Sequence, residues 1–81
     1  MNEQHELDAR KLLCPMPVIR VQNKIKQCKG GDILIVHATD PGVKHDIPAW
    51  CRIHGHQLVS IDEQNHEITI TIKVISRVSE V

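Results

Sequence analysis

The chain has 81 residues, 41% of them hydrophobic and 25% charged, a composition that indicates one small folded domain and argues against disorder. Its ten basic and ten acidic residues give a formal net charge of zero, which argues against nonspecific binding to nucleic acid or to anionic membranes. No apolar run approaches the roughly 18 residues of a membrane span, and the polar N-terminus does not resemble a signal peptide, so we expect a cytoplasmic protein.

The first half of the chain is predicted to form a strand, a helix and a second strand. Residues 5–8 are a weak first strand. Apolar residues then recur every three or four positions, at Val18, Val21, Ile25 and Cys28. This stripe indicates a helix, which Gly30-Gly31 would end. Residues 32–38 are mostly apolar at both even- and odd-numbered positions, so we expect a central strand with little exposure on either face.

The second half of the chain is predicted to form a helix and two more strands. Residues 39–42 carry turn chemistry. Pro48 cannot lie deep inside a helix, so we expect the second helix to start with Asp46 as its cap and to end at Gly55. Residues 56–63 would form a strand and residues 64–66 a turn. Residues 67–74 alternate apolar and polar side chains, and their apolar set should face the helices.

The order of these elements predicts the fold class. The order βαβαββ favours an α+β protein, a two-layer sandwich with both helices on one face of a mixed four-stranded sheet. We expect a single domain over residues 1–81, with its core at about residues 5–76. Trp50, the only aromatic residue, is expected to anchor the second helix on the sheet.

Cys14 is the candidate reactive residue, because two spaced prolines follow it at the start of the first helix. We expect Cys14 to be the N-cap, with Pro15, Met16 and Pro17 as the first three helical residues. The first N–H groups of a helix have no acceptor within it, so these prolines cost no helical hydrogen bond and hold the thiol in one direction. The positive helix pole and the Met16 N–H would both stabilise a thiolate, the nucleophilic form.

The residues alone leave two interpretations of Cys14 open. It is either a thiolate nucleophile, which the positive charge of Arg10 and Lys11 just upstream would favour, or a small half-buried residue that begins a helix. A depressed thiol pKa belongs to the first interpretation. Free cysteines of the second kind are common in protein interiors.

The other cysteines and the histidines are predicted to be structural or exposed. Cys28 lies on the predicted buried stripe, and Cys51 is expected in the core. Cys51, His54 and His56 have a spacing that could suggest zinc, but the helix is expected to end between the two histidines and no fourth ligand is evident. We therefore expect neither a metal nor a cofactor. The odd number of cysteines, without paired spacing, argues against a disulfide framework.

Several short motifs follow one another along the chain: Leu7-Asp8, Leu13-Cys14-Pro15-Met16-Pro17-Val18, Gly31-Asp32, Thr39-Asp40-Pro41, Asp46-Ile47-Pro48, Trp50-Cys51 and Gly55-His56. In this order and spacing they resemble the TusA (SirA-like) sulfur-carrier family over about residues 7–75. A CPxP motif alone is a modest signal. Its combination with the downstream DP and DIP elements is a strong one.

The resemblance implies a cytoplasmic sulfurtransferase that acts as a relay. Cys14 would carry sulfane sulfur as a persulfide, taken from a cysteine desulfurase or a rhodanese-like donor and passed to a downstream acceptor protein, as in 2-thiouridine formation on tRNA. We expect a monomer that docks transiently on these partners. A non-catalytic adaptor and a small RNA-binding domain are the alternatives. Zero net charge and the lack of Phe and Tyr count against direct binding of nucleic acid.

The chain departs from the family pattern at two places near the motif. Lys11 stands where the family usually has glycine, so the loop must avoid a positive φ or accept strain. Gln22-Asn23 replaces the usual Arg-Lys pair, and positive charge stands instead at Arg20 and Lys24, four residues apart. We expect Arg10, Lys11, Arg20 and Lys24 to be candidate docking residues for protein partners.

Overall fold

The computed structural model describes residues 3–13 and 15–75. These residues form β1 (Gln4–Ala9), α1 (Met16–Ile25), β2 (Ile33–Ala38), α2 (Val43–His54), β3 (Gln57–Gln64) and β4 (Glu67–Lys73). The strand order across the sheet is β1-β2-β4-β3. β1 and β2 are parallel, and the other two pairings are antiparallel. Both helices pack on one face of this mixed sheet, so the predicted two-layer α+β sandwich is confirmed.

The core is an aliphatic layer between the sheet and the two helices. Alternate residues of β2 and β4 point into this layer, because successive side chains of a strand lie on opposite faces. Burial of each large aliphatic side chain contributes on the order of 2 kcal/mol. The fully buried aliphatic residues include Leu34, Val36, Ile68, Ile70 and Ile72 from the sheet and Val21, Val43 and Ile47 from the helices.

The prediction that β2 has little exposure on either face is wrong. Ile33, Ile35 and His37 lie on the face without helices and are only partly buried. Ile35 is flanked there by Glu6 of β1 and Thr71 of β4 in the strand register. Its half-burial therefore comes from cross-strand neighbours, because both described helices cover the opposite face. We call this second face the open face of the sheet.

α1 ends earlier than predicted, at Ile25 rather than near Gly30. The N–H groups of Gln27 and Cys28 donate to the carbonyls of Lys24 (2.9 Å) and Ile25 (3.0 Å), which lie three residues back. These shorter-range bonds tighten the chain into a turn after the helix. Cys28 therefore lies beyond the helix, half-buried, and is not the last residue of its buried stripe.

α2 begins earlier than predicted, at Val43, and Pro48 lies inside it. The preceding turn leads directly into the helix, since the Val43 N–H donates to the Asp40 carbonyl at 3.1 Å and the Lys44 N–H donates to Pro41 at 3.1 Å. An interior proline costs about 3 kcal/mol. The complete burial of Ile47, directly before Pro48, opposes that cost. The predicted end at Gly55 is confirmed by its φ of 79°.

The β3–β4 hairpin forms as predicted. Asn65 and His66 make its turn, with φ angles of 51° and 66°. Positive φ at two central residues suits a two-residue hairpin, because its twist matches that of the flanking strands. Within residues 3–13 and 15–75, no helix is long and apolar enough to span a membrane.

Asp32 is a buried polar residue that ties β1 to the loop before β2. Its Oδ1 accepts a hydrogen bond from the Glu3 N–H at 2.9 Å. Its Oδ2 accepts one from the Lys29 N–H at 2.9 Å and lies 3.0 Å from His5 Nε2. The backbone N–H groups of Glu3 and Lys29, followed by the His5 side chain, lower the pKa of Asp32 to about 2. The carboxylate is therefore a charged, hydrogen-bonded link between segments distant in sequence.

We expect protonation of Asp32 to lower the free energy of unfolding in acid. Its pKa in the folded protein is about 2, below the ordinary value of 3.8, so its contribution is complete above about pH 5 and is lost as the pH falls toward 2. Asp32→Asn should be less stable at neutral pH, and its stability should decline less than that of the wild type between about pH 5 and pH 2. Urea unfolding of the wild type and of Asp32→Asn across this range measures the slope of the free energy of unfolding against pH for each protein. Equal slopes would contradict the role given to Asp32.

Candidate functional site

The structure describes the chain before and after Cys14, but Cys14 itself lies outside the described residues. Pro15 is the N-cap, with φ −91° and ψ 9°, and its carbonyl accepts a hydrogen bond from the Ile19 N–H at 3.2 Å. The prediction of Cys14 as N-cap is therefore wrong by one residue, because the backbone of Pro15 is not helical. Met16 is the first helical residue. Pro17 is the second, where its missing N–H costs no helical bond.

The Met16 N–H does not have the role predicted for it. It donates to the Leu13 carbonyl at 2.9 Å, and so it is not a donor reserved for sulfur. This bond joins Leu13 to the first residue of α1. The first turn of α1 contains no acidic residue. The positive pole of α1 is therefore not offset by a carboxylate within that turn.

Exposed apolar side chains flank Cys14 in the chain. Leu13 is 75% exposed, Met16 40% and Ile19 43%. We call these three residues the apolar rim. Pro17, in contrast, is buried and anchors the helix start to the core. A contiguous patch of exposed large apolar side chains is typical of surfaces that contact other proteins. Their three-residue spacing is visible in the sequence and is the signal from which the apolar rim could have been predicted.

Three of the four candidate docking residues, Arg10, Arg20 and Lys24, differ in whether their charge is paired. Arg20 and Lys24 both lie on α1, and neither forms an ion pair with any residue of the described ranges. Arg10 is paired: its Nε lies 2.9 Å from Asp8 Oδ1 and its Nη1 lies 3.1 Å from Glu67 Oε2. The Arg10 side-chain hydrogen bonds lower the pKa of Asp8 to about 2. The structure thus leaves Arg20 and Lys24 as positive charges on α1, whereas Arg10 is neutralised by its neighbours.

Lys11 adopts the left-handed conformation, which favours glycine. Its φ is 66°. Its N–H donates to Thr39 Oγ1 at 2.8 Å, which ties the loop before Cys14 to the end of β2. Of the two predicted possibilities, the loop accepts strain and does not avoid positive φ. A non-glycine residue in this region is disfavoured by about 1–2 kcal/mol.

The two described cysteines are poorly suited to be nucleophiles. Cys51 is buried, as predicted, and burial raises the pKa of its thiol to about 11. Burial, with a smaller effect from the Asp32 charge, also raises the pKa of Cys28. Thiolate is the reactive form, so both thiols are held in their less reactive state near neutral pH.

His37, His54 and His56 each contact other side chains of the fold. His37 lies on the open face, with its Nε2 3.0 Å from Glu6 Oε1, whereas α1 packs on the other face. Cys51, His54 and His56 do not form a ligand cluster in the part of the chain that the structure describes. The rings of His54 and His56 instead lie 4.5 Å and 5.5 Å from the ring of Trp50, which packs partly against the core.

Two concave regions are formed by described residues. One, of about 580 Å³, lies between the C-terminal ends of the two helices and includes Trp50 and His54 in its lining. The other, of about 310 Å³, is lined by Asp8, Arg10, Lys11 and Thr39. Lys11 and Thr39 are the residues joined by the hydrogen bond described above. The smaller region therefore lies next to the loop that leads to Cys14.

The matching family model covers residues 5–74 and is described as "Sulfurtransferase TusA". The chain belongs to the TusA family. "Putative sulfur carrier protein YrkI" of Bacillus subtilis (strain 168) is 44% identical over 59 residues, which cover 73% of this chain and 79% of YrkI. A protein with the same designation from Neisseria meningitidis serogroup A, NMA0882, is 39% identical over 67 residues, covering 83% of this chain and 90% of NMA0882.

A longer relative and a solved structure extend this comparison. YrkF, also from Bacillus subtilis and with the same designation, is 38% identical over 58 residues, 72% of this chain but only 31% of YrkF. The crystal structure of a SirA-like protein from Desulfitobacterium hafniense superposes with a TM-score of 0.77, at 22% identity, over 89% of this chain and 99% of that one. At this identity the superposition shows a shared fold. The family match and the fold together confirm the TusA/SirA-like resemblance drawn from the motifs.

We expect Lys11→Gly to stabilise the protein, because glycine adopts positive φ without the steric cost that Lys11 bears. The gain in free energy of unfolding should be about 0.5–1 kcal/mol, since the greater freedom of glycine in the unfolded chain offsets part of it. Urea unfolding measures the change. Lys11→Ala is the matched control: it removes the same charge but keeps the β-carbon, so its stability should stay within about 0.5 kcal/mol of the wild type. Equal stability of the two variants would contradict the strain argument.

Proposed function

We propose that this TusA-family chain is a sulfurtransferase that relays sulfane sulfur as a persulfide on Cys14. The donor would be a cysteine desulfurase or a rhodanese-like protein of the cytoplasm, and the acceptor a thiol of a downstream protein. Pro15, Met16 and Pro17 would orient the site by fixing the start of α1. The chain would act as a single domain and as a monomer that docks transiently on each partner.

The contrast among the three cysteines is the observation that supports this proposal. Cys28 and Cys51 are partly or fully buried, and burial raises the pKa of both thiols. The two neighbours of Cys14 in the chain, Leu13 and Pro15, are exposed, and Cys14 directly precedes the N-cap of a helix whose first turn carries no acid. A helix N-terminus lowers the pKa of a nearby thiol. Cys14 is therefore the cysteine whose surroundings favour exchange chemistry.

The transfer needs only thiol exchange. The Cys14 thiolate attacks the terminal sulfur of a donor persulfide, R–S–SH; a new S–S bond forms to Cys14, the donor S–S bond breaks, and the donor leaves as the thiolate R–S⁻. In the second step an acceptor thiolate attacks the terminal sulfur of the Cys14 persulfide, and Cys14 leaves as a thiolate. Each step exchanges one S–S bond for another. The relay therefore needs no external oxidant or reductant.

The surface around α1 supports a reaction that takes place between proteins. The apolar rim supplies contact area, and the charges of Arg20 and Lys24 lie further along the same helix. A partner with an apolar patch bordered by acidic residues would complement this surface. Docking would then bring two sulfur atoms within reach of each other. Among the pathways served by such relays, we propose 2-thiouridine formation on tRNA as the one to test first.

We expect the protein to gain one sulfur atom when it is incubated with a cysteine desulfurase and cysteine. Intact-mass spectrometry should show a gain that a reductant removes, because a persulfide is cleaved by thiols. The gain should disappear in Cys14→Ser. It should persist in Cys28→Ser and Cys51→Ala, the controls for the two suppressed thiols. No gain in the wild type, or an undiminished gain in Cys14→Ser, would contradict the relay.

The lowered pKa of the Cys14 thiol and the role in 2-thiouridine formation can each be tested by a separate measurement. Titration of the Cys14 thiol in a Cys28→Ser/Cys51→Ala background should return a pKa below the ordinary value of about 8.5. In cells, Cys14→Ser should reduce the 2-thiouridine content of tRNA, whereas Cys28→Ser should leave it unchanged. A normal thiouridine content with intact sulfur loading would reject the tRNA pathway and retain the relay.

We expect the charges on α1 to accelerate docking to the sulfur donor. Replacement of Arg20 and Lys24 together by Glu should lower the initial rate of sulfur loading by about three- to ten-fold at low salt, because attraction becomes repulsion at an exposed surface. The difference should shrink as the salt concentration rises. Lys73→Glu, a charge reversal on the open face, is the control and should load at the wild-type rate. A rate that is independent of salt and of the Arg20 and Lys24 charges would contradict this docking role.

A further inference from the structure

We propose that His5, Cys28 and Asp32 form a binding site for a divalent cation of the zinc type. The three residues come from β1, from the turn after α1 and from the residue before β2. They lie at the end of the sheet where β1 and β2 begin, whereas the loop leading to Cys14 follows the other end of β1. The site therefore goes beyond the proposed sulfur relay and does not use Cys14.

The spacing of the donor atoms suits one metal ion. A nitrogen of His5, the Cys28 sulfur and a carboxylate oxygen of Asp32 all lie within 4.8 Å of one another. In tetrahedral zinc sites, bonds of about 2.0–2.3 Å place the donor atoms about 3.3–3.8 Å apart. Metal binding would require the Cys28 sulfur to move closer to the other two donor atoms, and a rotation about the Cα–Cβ bond of Cys28 is the smallest such movement. His5 Nε2 and Asp32 Oδ2, now 3.0 Å apart, would need to separate slightly.

Asp32 provides a preorganised ligand. It is buried, and the backbone N–H groups of Glu3 and Lys29 fix its two oxygens. An ionised carboxylate offers about four acceptor positions, so these two hydrogen bonds leave room for a cation. The contact between His5 and Asp32 would be exchanged for one bond from each residue to the metal. The side chain of His5 is 19% exposed, which leaves a path to solvent.

Cys28 would become a ligand by losing its proton. Burial and the nearby Asp32 charge favour the neutral thiol and raise its pKa, and its Sγ now lies 3.5 Å from the Lys24 carbonyl as a donor. A bound cation stabilises the thiolate, and so it opposes the effects of burial and of the Asp32 charge on the Cys28 thiol. The Cys28 S–H bond breaks, a sulfur–metal bond forms, and the proton goes to solvent, so no electrons are transferred to or from the protein.

The local charge also favours a cation. The C-terminal end of α1, the negative pole of its dipole, is at Ile25, and Cys28 Sγ lies 3.5 Å from the carbonyl oxygen of Lys24 in the last turn. Glu3 Oε1 lies 3.8 Å from His5 Nε2, on an exposed side chain that can provide a fourth ligand. The Cys28 thiolate, two carboxylates and the helix pole would together oppose the positive charge of Lys24 near the sulfur.

The donor set selects the type of metal. Sulfur, imidazole nitrogen and carboxylate oxygen together suit zinc and its close analogue cobalt, whereas magnesium and calcium prefer oxygen ligands alone. A bound ion would join β1 to the loop before β2, across segments that Asp32 already links. We therefore assign it a structural role: metal binding should raise the stability of the folded protein by mass action.

The experiment uses the full chain in a Cys14→Ser background, so that the proposed persulfide thiol does not contribute. Titration with Co²⁺ alone should give the visible bands of a tetrahedral site and a sulfur-to-cobalt charge-transfer band, and Zn²⁺ should displace it. Zn²⁺ should also raise the melting temperature. Cys28→Ser should abolish the charge-transfer band, and His5→Gln should weaken binding by about ten-fold or more.

Two matched controls are available in the chain. His37→Gln removes a histidine that also lies 3.0 Å from a carboxylate oxygen but has no thiol beside it, and Cys51→Ala removes the other described thiol. Both should bind Co²⁺ as the background protein does. A charge-transfer band that survives in Cys28→Ser, a loss caused by His37→Gln or Cys51→Ala, or no binding at micromolar metal would each overturn the assignment. Because Cys14 is absent throughout, this outcome is independent of the sulfur relay.

Discussion

The structure depends on the burial of one face of β2 and β4 beneath two helices. The chain lacks Phe and Tyr, so this layer is filled mainly by branched aliphatic side chains such as Ile68, Ile70 and Ile72. Those side chains can be buried only if both helices lie on the same face, which leaves the other face to polar residues and partly exposed Ile33 and Ile35. This arrangement also positions the two ends of α1 at opposite ends of the sheet.

The two ends of α1 provide different chemistry. Its N-terminal end has a free positive pole, no acid in the first turn and the apolar rim. These features suit an anionic sulfur nucleophile and a partner protein. Its C-terminal end has a negative pole and lies next to Cys28 and the buried Asp32. Those features suit a cation. One short helix thus separates a proposed exchange site from a proposed metal site through the direction of its dipole.

The fold class could be predicted from the sequence because the decisive signals are local. Alternation over residues 67–74 and the three- and four-residue spacing of Val18, Val21 and Ile25 depend only on the geometry of a strand and a helix. Boundaries were predicted less well. Pro48 is tolerated inside α2 and α1 ends before Gly30, because tertiary packing and tight turns override the intrinsic preferences of single residues.

The CPxP motif, the family resemblance and the positions of the cysteines were determined by the sequence alone, because motifs and spacing need no coordinates. The sequence predicted the positive φ of Lys11 only as one of two possibilities. The backbone conformation of Lys11 is tied to its hydrogen bond with Thr39, a residue distant in sequence. The tertiary structure decided which thiols are buried and which charges are paired. It also brought together His5, Cys28 and Asp32, because the parallel pairing of β1 with β2 places the starts of two strands side by side.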